Sequence, residues 1–240
     1  MNTDVIYTFI VGGYDTLKDP YVVTPGWDYI CFTDDETLTS DVWDVRPLPH
    51  WSDEHIPEPK RRASMVKIMH RDAVGENYNA VITMDASMTV TCNLDGWLHR
   101  IGFGERAWYG PCDFLACEHS YRNCVYKQAQ AVLDKGYDKA DVVNAQMRRY
   151  QDEGYPDNNG QWLSGVTVRR NKSQSVARAC QIWAHEYMNG SRRDQLSMNY
   201  AFWKSAQCGF PVRSRAIPSV LSAFRRGEHN EGATKELVKR

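Results

Sequence analysis

The stretch Ala80-Val81-Ile82-Thr83-Met84-Asp85-Ala86-Ser87 constrains the fold of this chain more than any other. Mostly apolar, β-prone residues run straight into a carboxylate, the pattern of a buried parallel strand that ends at a site. Open α/β sheets bind ligands beyond the carboxyl ends of their strands, so the pattern predicts Asp85 beside a ligand. A turn-starting or capping aspartate is the plainer alternative.

The flanking sequence repeats the theme. Val5 to Val11 reads as a strand that stops at Gly12-Gly13-Tyr14-Asp15, and Trp27 to Thr33 as one that closes on Asp34-Asp35. Trp43 to Arg46, Asp113 to Cys117 and Trp162 to Arg169 read as further strands. Between them, Arg62, Met65, Val66, Met69 and Ala73 recur at helical steps and predict one helix from Arg61 to Ala73. Asn123 to Leu133 and Ala140 to Tyr150 read as helices, followed by one with Val176, Cys180, Trp183 and Tyr187 on a single face, closed by Gly190. A last helix carries Leu196, Asn199, Tyr200 and Trp203, while Phe210 to His229 shows no strong period. The alternation predicts one α/β domain over residues 1–229 and a polar tail over 230–240. G-x-G-x-x-G is absent, so Gly12-Gly13 is a tight turn or a close backbone approach to a ligand, not a dinucleotide fingerprint.

Lys and Arg number 29 against 30 Asp and Glu, a net charge of −1 that gives no global attraction to nucleic acid or membrane. Local basic clusters, Lys60-Arg61-Arg62, Arg169-Arg170, Arg192-Arg193 and Arg225-Arg226, are phosphate candidates or solvated surface. With no leader-like start and no run of about 18 apolar residues, no membrane insertion is expected and a cytoplasmic location is. Seven cysteines without a regular framework fit reduced thiols. Cys112, Cys117, His119 and Cys124 have a C-x4-C-x-H-x4-C spacing that lacks the short chelating turn of zinc sites.

The order of features resembles a GT-A glycosyltransferase, a Rossmann-like fold, of the glycogenin and galactosyltransferase kind. The likeness rests on Arg62 to Lys67, Met84-Asp85-Ala86-Ser87 with Asn93-Leu94 downstream, and Asp194-Gln195-Leu196-Ser197-Met198-Asn199. From Val5 to Trp203 the chain resembles more closely the domain-of-unknown-function family 616, regarded as glycosyltransferase-like. Ile6-Tyr7-Thr8 with Gly13-Tyr14-Asp15, Asp28 to Asp34, His70, His119-x-x-Arg122-x-Cys124-x-Tyr126, Glu153-Gly154-x-Pro156 and Arg193 to Ser197 follow that family's order. Three positions depart from it. Ser87 stands where metal-dependent GT-A enzymes have a second aspartate, and Gln128 and Leu163 stand where acids are usual.

The resemblance implies a mixed, mostly parallel sheet flanked by helices and a glycosyltransferase that takes a nucleotide sugar as donor. It implies a divalent cation, Mn²⁺ or Mg²⁺, at Asp85 with His229 as the carboxyl-terminal ligand; a solvated tail histidine is the alternative for His229. Donor contacts fall on Thr8, Val11 and Tyr14 for the nucleobase and ribose, on Asp34 as a ribose contact or cap, and on Arg62 and Lys67 for the diphosphate. Asp85, Ser87 and Gln195 complete the donor site. Asp194 is expected beside the anomeric carbon, with a helix N-cap as its alternative, and His119 and Arg122 face the acceptor or donor sugar, with a hydrogen-bonded structural pair as theirs. The acceptor is not legible: protein, glycan, small molecule and modified nucleic acid all fit. A nucleotide-sugar or glycan-binding module with the same fold and weak or no turnover is the second reading, motivated by Ser87, Gln128 and Leu163.

Overall fold

The computed structural model describes residues 3–51, 56–103 and 111–227. Its first half holds β1 (Asp4–Ile10), β2 (Trp27–Thr33), β3 (Asp44–Pro47), α1 (Pro59–Ile68), α2 (His70–Val74), β4 (Ala80–Met84), β5 (Met88–Val90) and α3 (Leu94–Arg100). Then follow β6 (Phe114–Glu118), α4 (Val125–Asp134), α5 (Ala140–Asp152), β7 (Trp162–Arg170) and α6 (Gln174–Asn189). A 3-10 turn (Asp194–Leu196), α7 (Met198–Gln207), β8 (Ser214–Ile217) and β9 (Phe224–Arg226) complete the described chain.

One sheet of seven strands, in the order β3-β2-β1-β4-β7-β6-β8, forms the centre of the molecule. β1 runs parallel to β2 and β4, β2 to β3, and β6 to β8. β7 alone in this sheet is antiparallel, to β4 on one side and β6 on the other. The sheet is therefore mixed and mostly parallel, as expected, but β4 itself has a parallel neighbour on one flank only. The chain leaves β1 outward through β2 and β3 and returns to β4 on the opposite flank. The strand order reverses between β1 and β4, which is where open α/β sheets form their crevice. The amino-terminal half of β7, because it runs the other way, delivers Ser164 and Gly165 to that same edge.

Both faces of the sheet are covered. Ile6, Ile10, Ile82 and Met84 pack against Leu94, Trp97 and Phe224 on one side. On the other, Val5, Tyr7, Phe9 and Val81 meet Val66 of α1, and Phe114 meets Trp183, Tyr187 and Phe202 of α6 and α7. Ile6, Ile82 and Phe114 are fully excluded from solvent, and burial of each such side chain contributes about 1.5–3 kcal/mol.

The helix expected from Arg61 to Ala73 is two helices. Met69, at φ −87° and ψ 54°, leaves the helical region while its N–H still reaches the carbonyl of Met65. The apolar repeat continues through the break, which is why the sequence reads as one element. Leu196 lies on the 3-10 turn rather than on the last helix, which starts after Ser197. Unexpected in the sequence are α3, capped by Asn93 through the Gly96 N–H, and the short strands β8 and β9. The β5–β9 pair forms a separate two-stranded sheet. Among the described residues no helix is long and apolar enough to cross a membrane.

Candidate functional site

β4 ends at Asp85, whose N–H donates to the carbonyl of Gly165 on β7 at 2.8 Å. The two strands approach so closely here that a Cβ on residue 165 would lie 3.3 Å from Asp85 Oδ2. Glycine is what lets the carboxylate lie against β7.

Lys67, a diphosphate contact by the resemblance, is 5 % exposed on the sheet-facing side of α1, between Val66 and Ile68. A buried ammonium requires compensation. It comes from two carboxylates, Asp85 Oδ1 at 2.8 Å and Asp194 Oδ2 at 3.1 Å. Burial pulls the Lys67 ammonium down, but Asp194 and Asp85 outweigh it and hold it above the usual lysine range.

Asp194 is not a helix cap: α7 begins at Met198, with Ser197 at the N-cap position and no side-chain cap bond. Instead Asp194 Oδ2 accepts the Ser164 hydroxyl at 2.8 Å as well as the Lys67 ammonium. Burial pushes the Asp194 carboxyl up, while Lys67, the Ser164 hydroxyl and Arg193 together bring it below the ordinary carboxylate range. It is an ionised, weakly basic carboxylate.

At the end of β1, Gly12 and Gly13 both have φ of +65°, the left-handed region. The Gly12 N–H donates to both oxygens of Asp34, at 2.9 and 3.0 Å, and Arg62 stands 3.7 Å from Asp34 Oδ2. Asp34 and Arg62 thus shape the turn. Thr8 is fully buried and Val11 is 5 % exposed, so the side chains expected to hold a nucleobase are closed in the core. Tyr14 alone of the three is half open. Burial raises its phenol first; Asp15 and Asp85 add to the rise and Arg193 opposes it, which places Tyr14 within the field of both Asp85 and Arg193.

Lys60, near the start of α1, was legible in the sequence only as part of a basic cluster. Pro59 packs on Gly12, where an added Cβ would meet Pro59 Cβ at 3.4 Å, so α1 starts against the β1 turn. Burial brings the Lys60 ammonium down to about 8, with Arg193 and Arg192 reinforcing the shift and Asp194 and Glu58 resisting it. The Arg193 guanidinium lies 5.1 Å from the centre of the Tyr137 ring.

Ser87 is 3 % exposed, and its carbonyl accepts the Gly227 N–H at 2.7 Å. His229 lies outside the described residues. Among the described residues no group of three or more His, Cys, Asp or Glu side chains is arranged to hold an ion. The chemistry of the donors present agrees: Asp85 Oδ1 and Asp194 Oδ2 already share one ammonium, and the residue two beyond Asp85 is a buried serine, Ser87. These residues do not fit a divalent ion held by the protein between the two carboxylates.

Past β6, Arg122 Nη1 meets His119 Nε2 at 2.8 Å, and the Tyr121 N–H donates to His119 Nδ1 at 3.2 Å. Burial, then Arg122, pulls the imidazole below its usual range. The His119 N–H donates to the Gln161 carbonyl, Gln161 Nε2 to the Gln195 carbonyl at 2.9 Å, and Gln128 Nε2 to Gln195 Oε1 at 3.3 Å. An amide chain therefore links His119 to the residue after Asp194. Gln128 has a structural role in that chain, and Leu163 packs against the core. The cysteines do not converge with His119: Cys112 Sγ faces the Phe114 carbonyl, Cys117 Sγ the Glu118 and Pro218 carbonyls, and Cys124 Sγ the Asp157 carboxylate.

Neither a protein-family model nor a curated protein matches the sequence. The fold does have matches. The apo structure of the bifunctional glycosyltransferase WbbM superposes on 90 % of this chain at a TM-score of 0.50 and 10 % identity. The chain shares its fold with a known glycosyltransferase. It spans 39 % of the length of WbbM. The apo form of mouse xyloside xylosyltransferase 1 aligns with 89 % of this chain and 85 % of its own at 7 % identity and a TM-score of 0.47, too loose a superposition to add to the fold comparison.

Proposed function

We propose that this chain is a glycosyltransferase that uses a uridine- or guanosine-diphosphate sugar. The observation that supports it best is the Asp85–Lys67–Asp194 bridge, set at the strand ends where the strand order reverses.

In the proposed reaction the bond from the anomeric carbon to the β-phosphate oxygen breaks and that oxygen keeps the electron pair. An acceptor hydroxyl oxygen bonds to the anomeric carbon and its proton passes to the departing diphosphate. Positive charge develops on the sugar meanwhile, and two carboxylates against one ammonium leave a net negative charge to face it. Asp194, ionised and weakly basic, suits that electrostatic role better than proton abstraction. On this reading His119, Arg122 and Gln195, joined through Gln161 to the turn that carries Asp194, would meet the sugar or acceptor, and Tyr14 would meet the nucleotide.

A melting-temperature screen of nucleoside diphosphates and their sugars tests the donor site. At a hundredfold excess over Kd, binding should stabilise the fold by about 2.7 kcal/mol. Absence of a shift with every nucleotide, with and without Mn²⁺, contradicts the proposal. Slow hydrolysis of a bound donor then separates an enzyme from a binding module, the reading that Ser87 keeps open.

A further inference from the structure

We infer that the chain takes the negative charge of the departing diphosphate on its own side chains, Lys60 and Arg193, without a divalent ion bridging Asp85 and Asp194. The inference rests on the proposed donor site and concerns how that site balances charge.

The first support is the occupant of the space between the carboxylates. Lys67 Nζ lies 2.8 Å from Asp85 Oδ1 and 3.1 Å from Asp194 Oδ2, so one cationic group already joins them. A divalent ion sharing those oxygens would face a fixed positive charge at short range in a poorly screened interior. Asp85 Oδ2 is turned toward Gly165, 3.3 Å from where a Cβ on that residue would stand. Ser87 is buried and offers a hydroxyl in place of a carboxylate.

The second support is an excess of positive charge nearby. Arg192 is paired, 3.5 Å from Glu58 and 3.9 Å from Asp138. Among the described residues no ion pair is formed by Lys60 or by the Arg193 guanidinium, which rests on the Tyr137 ring. Lys60 and Arg193 are both half-buried and each makes the other's charge harder to hold, a cost that Asp194 and Glu58 offset only in part and that an anion would complete. Their position matches that anion. Pro59, against Gly12, sets Lys60 beside the β1 turn, and Arg193 immediately precedes Asp194, its field reaching Tyr14 together with that of Asp85. A diphosphate whose sugar lies at Asp194 would lie at these two residues, where a guanidinium offers two parallel donors to phosphate oxygens.

Calorimetric titration of the full chain with UDP and GDP, in EDTA and in Mn²⁺, tests the inference. Affinity should differ by less than about threefold between the two conditions, and Lys60→Gln or Arg193→Gln should weaken binding in EDTA by about tenfold or more. Lys60→Arg should retain most of it. Melting curves of each variant establish that it is folded. Binding seen only with Mn²⁺, or unchanged by both glutamine variants, overturns the inference and leaves the donor site standing. If neither nucleotide binds in either condition, the donor reading falls and this inference falls with it.

Discussion

Lys67 and Asp194, 127 residues apart in sequence, meet at 3.1 Å beneath the end of β4. Through Asp85, 2.8 Å from the same ammonium, this contact joins α1, the central strand and the turn before α7.

Asp194→Asn keeps the shape of the side chain and removes its charge. Donor hydrolysis should fall by about a hundredfold, while donor affinity changes far less. Because Asp194 is an ion-pair partner and not a cap, stability should drop as well, by about 1–3 kcal/mol in denaturant unfolding. The acid limb should also change. The carboxyl is held lower in the folded than in the unfolded chain, so its contribution is complete above the unfolded value and is lost as pH falls through the folded one. Asp194→Asn should flatten that loss; an unaltered acid limb would argue against the pairing.

Lys67→Met should be more damaging, about 3–5 kcal/mol, because it leaves two carboxylates facing each other without a cation. It should also create what the native chain lacks. Mn²⁺ should raise the melting temperature of Lys67→Met while leaving that of the native protein nearly unmoved, and a large Mn²⁺ shift in the native protein would contradict the role assigned to Lys67.

Lys60 sets a pH dependence. Its ammonium titrates near 8 in the free protein, brought down by burial and the neighbouring arginines. An anion beside it restores the charged form, so a bound diphosphate raises that value and binding takes up a proton near pH 8. Affinity should be greatest below pH 8 and decline above it, and calorimetry in buffers of different ionisation enthalpy should register the uptake. Lys60→Gln should abolish both effects.

Gly165→Ala places a methyl 3.3 Å from Asp85 Oδ2. The backbone there is ordinary strand, so the disturbance falls on the carboxylate. Donor hydrolysis should drop about tenfold or more with a stability change near 1 kcal/mol. A large loss of stability with unchanged turnover would mean that the contact serves packing alone.

The sequence by itself determined the strand endings and the helices with a clear apolar period, because burial on a sheet and on a helix leaves periods of two and 3.6 residues along the chain. Asp85 was legible for that reason, as the carboxylate that ends a strand, whereas Asp194, His119 and Arg122 stood out only through the motifs that resemble a glycosyltransferase family. The split at Met69, the short strands β8 and β9, and α3 were not legible, since a break that preserves the apolar repeat, strands of three or four residues and a helix of about two turns leave too short a period to read. Only the tertiary structure decided the role of Lys67. In sequence it is one more base on a basic helix, and nothing local distinguishes a lysine in water from one between two carboxylates. That difference arises when α1 is laid on the sheet and its buried face meets Asp85 and Asp194. The same packing closed Thr8 and Val11 into the core and brought Lys60 into the field of Arg193, distant in the chain. Desolvation and proximity are properties of the folded surface, and they assign each charged residue its partner.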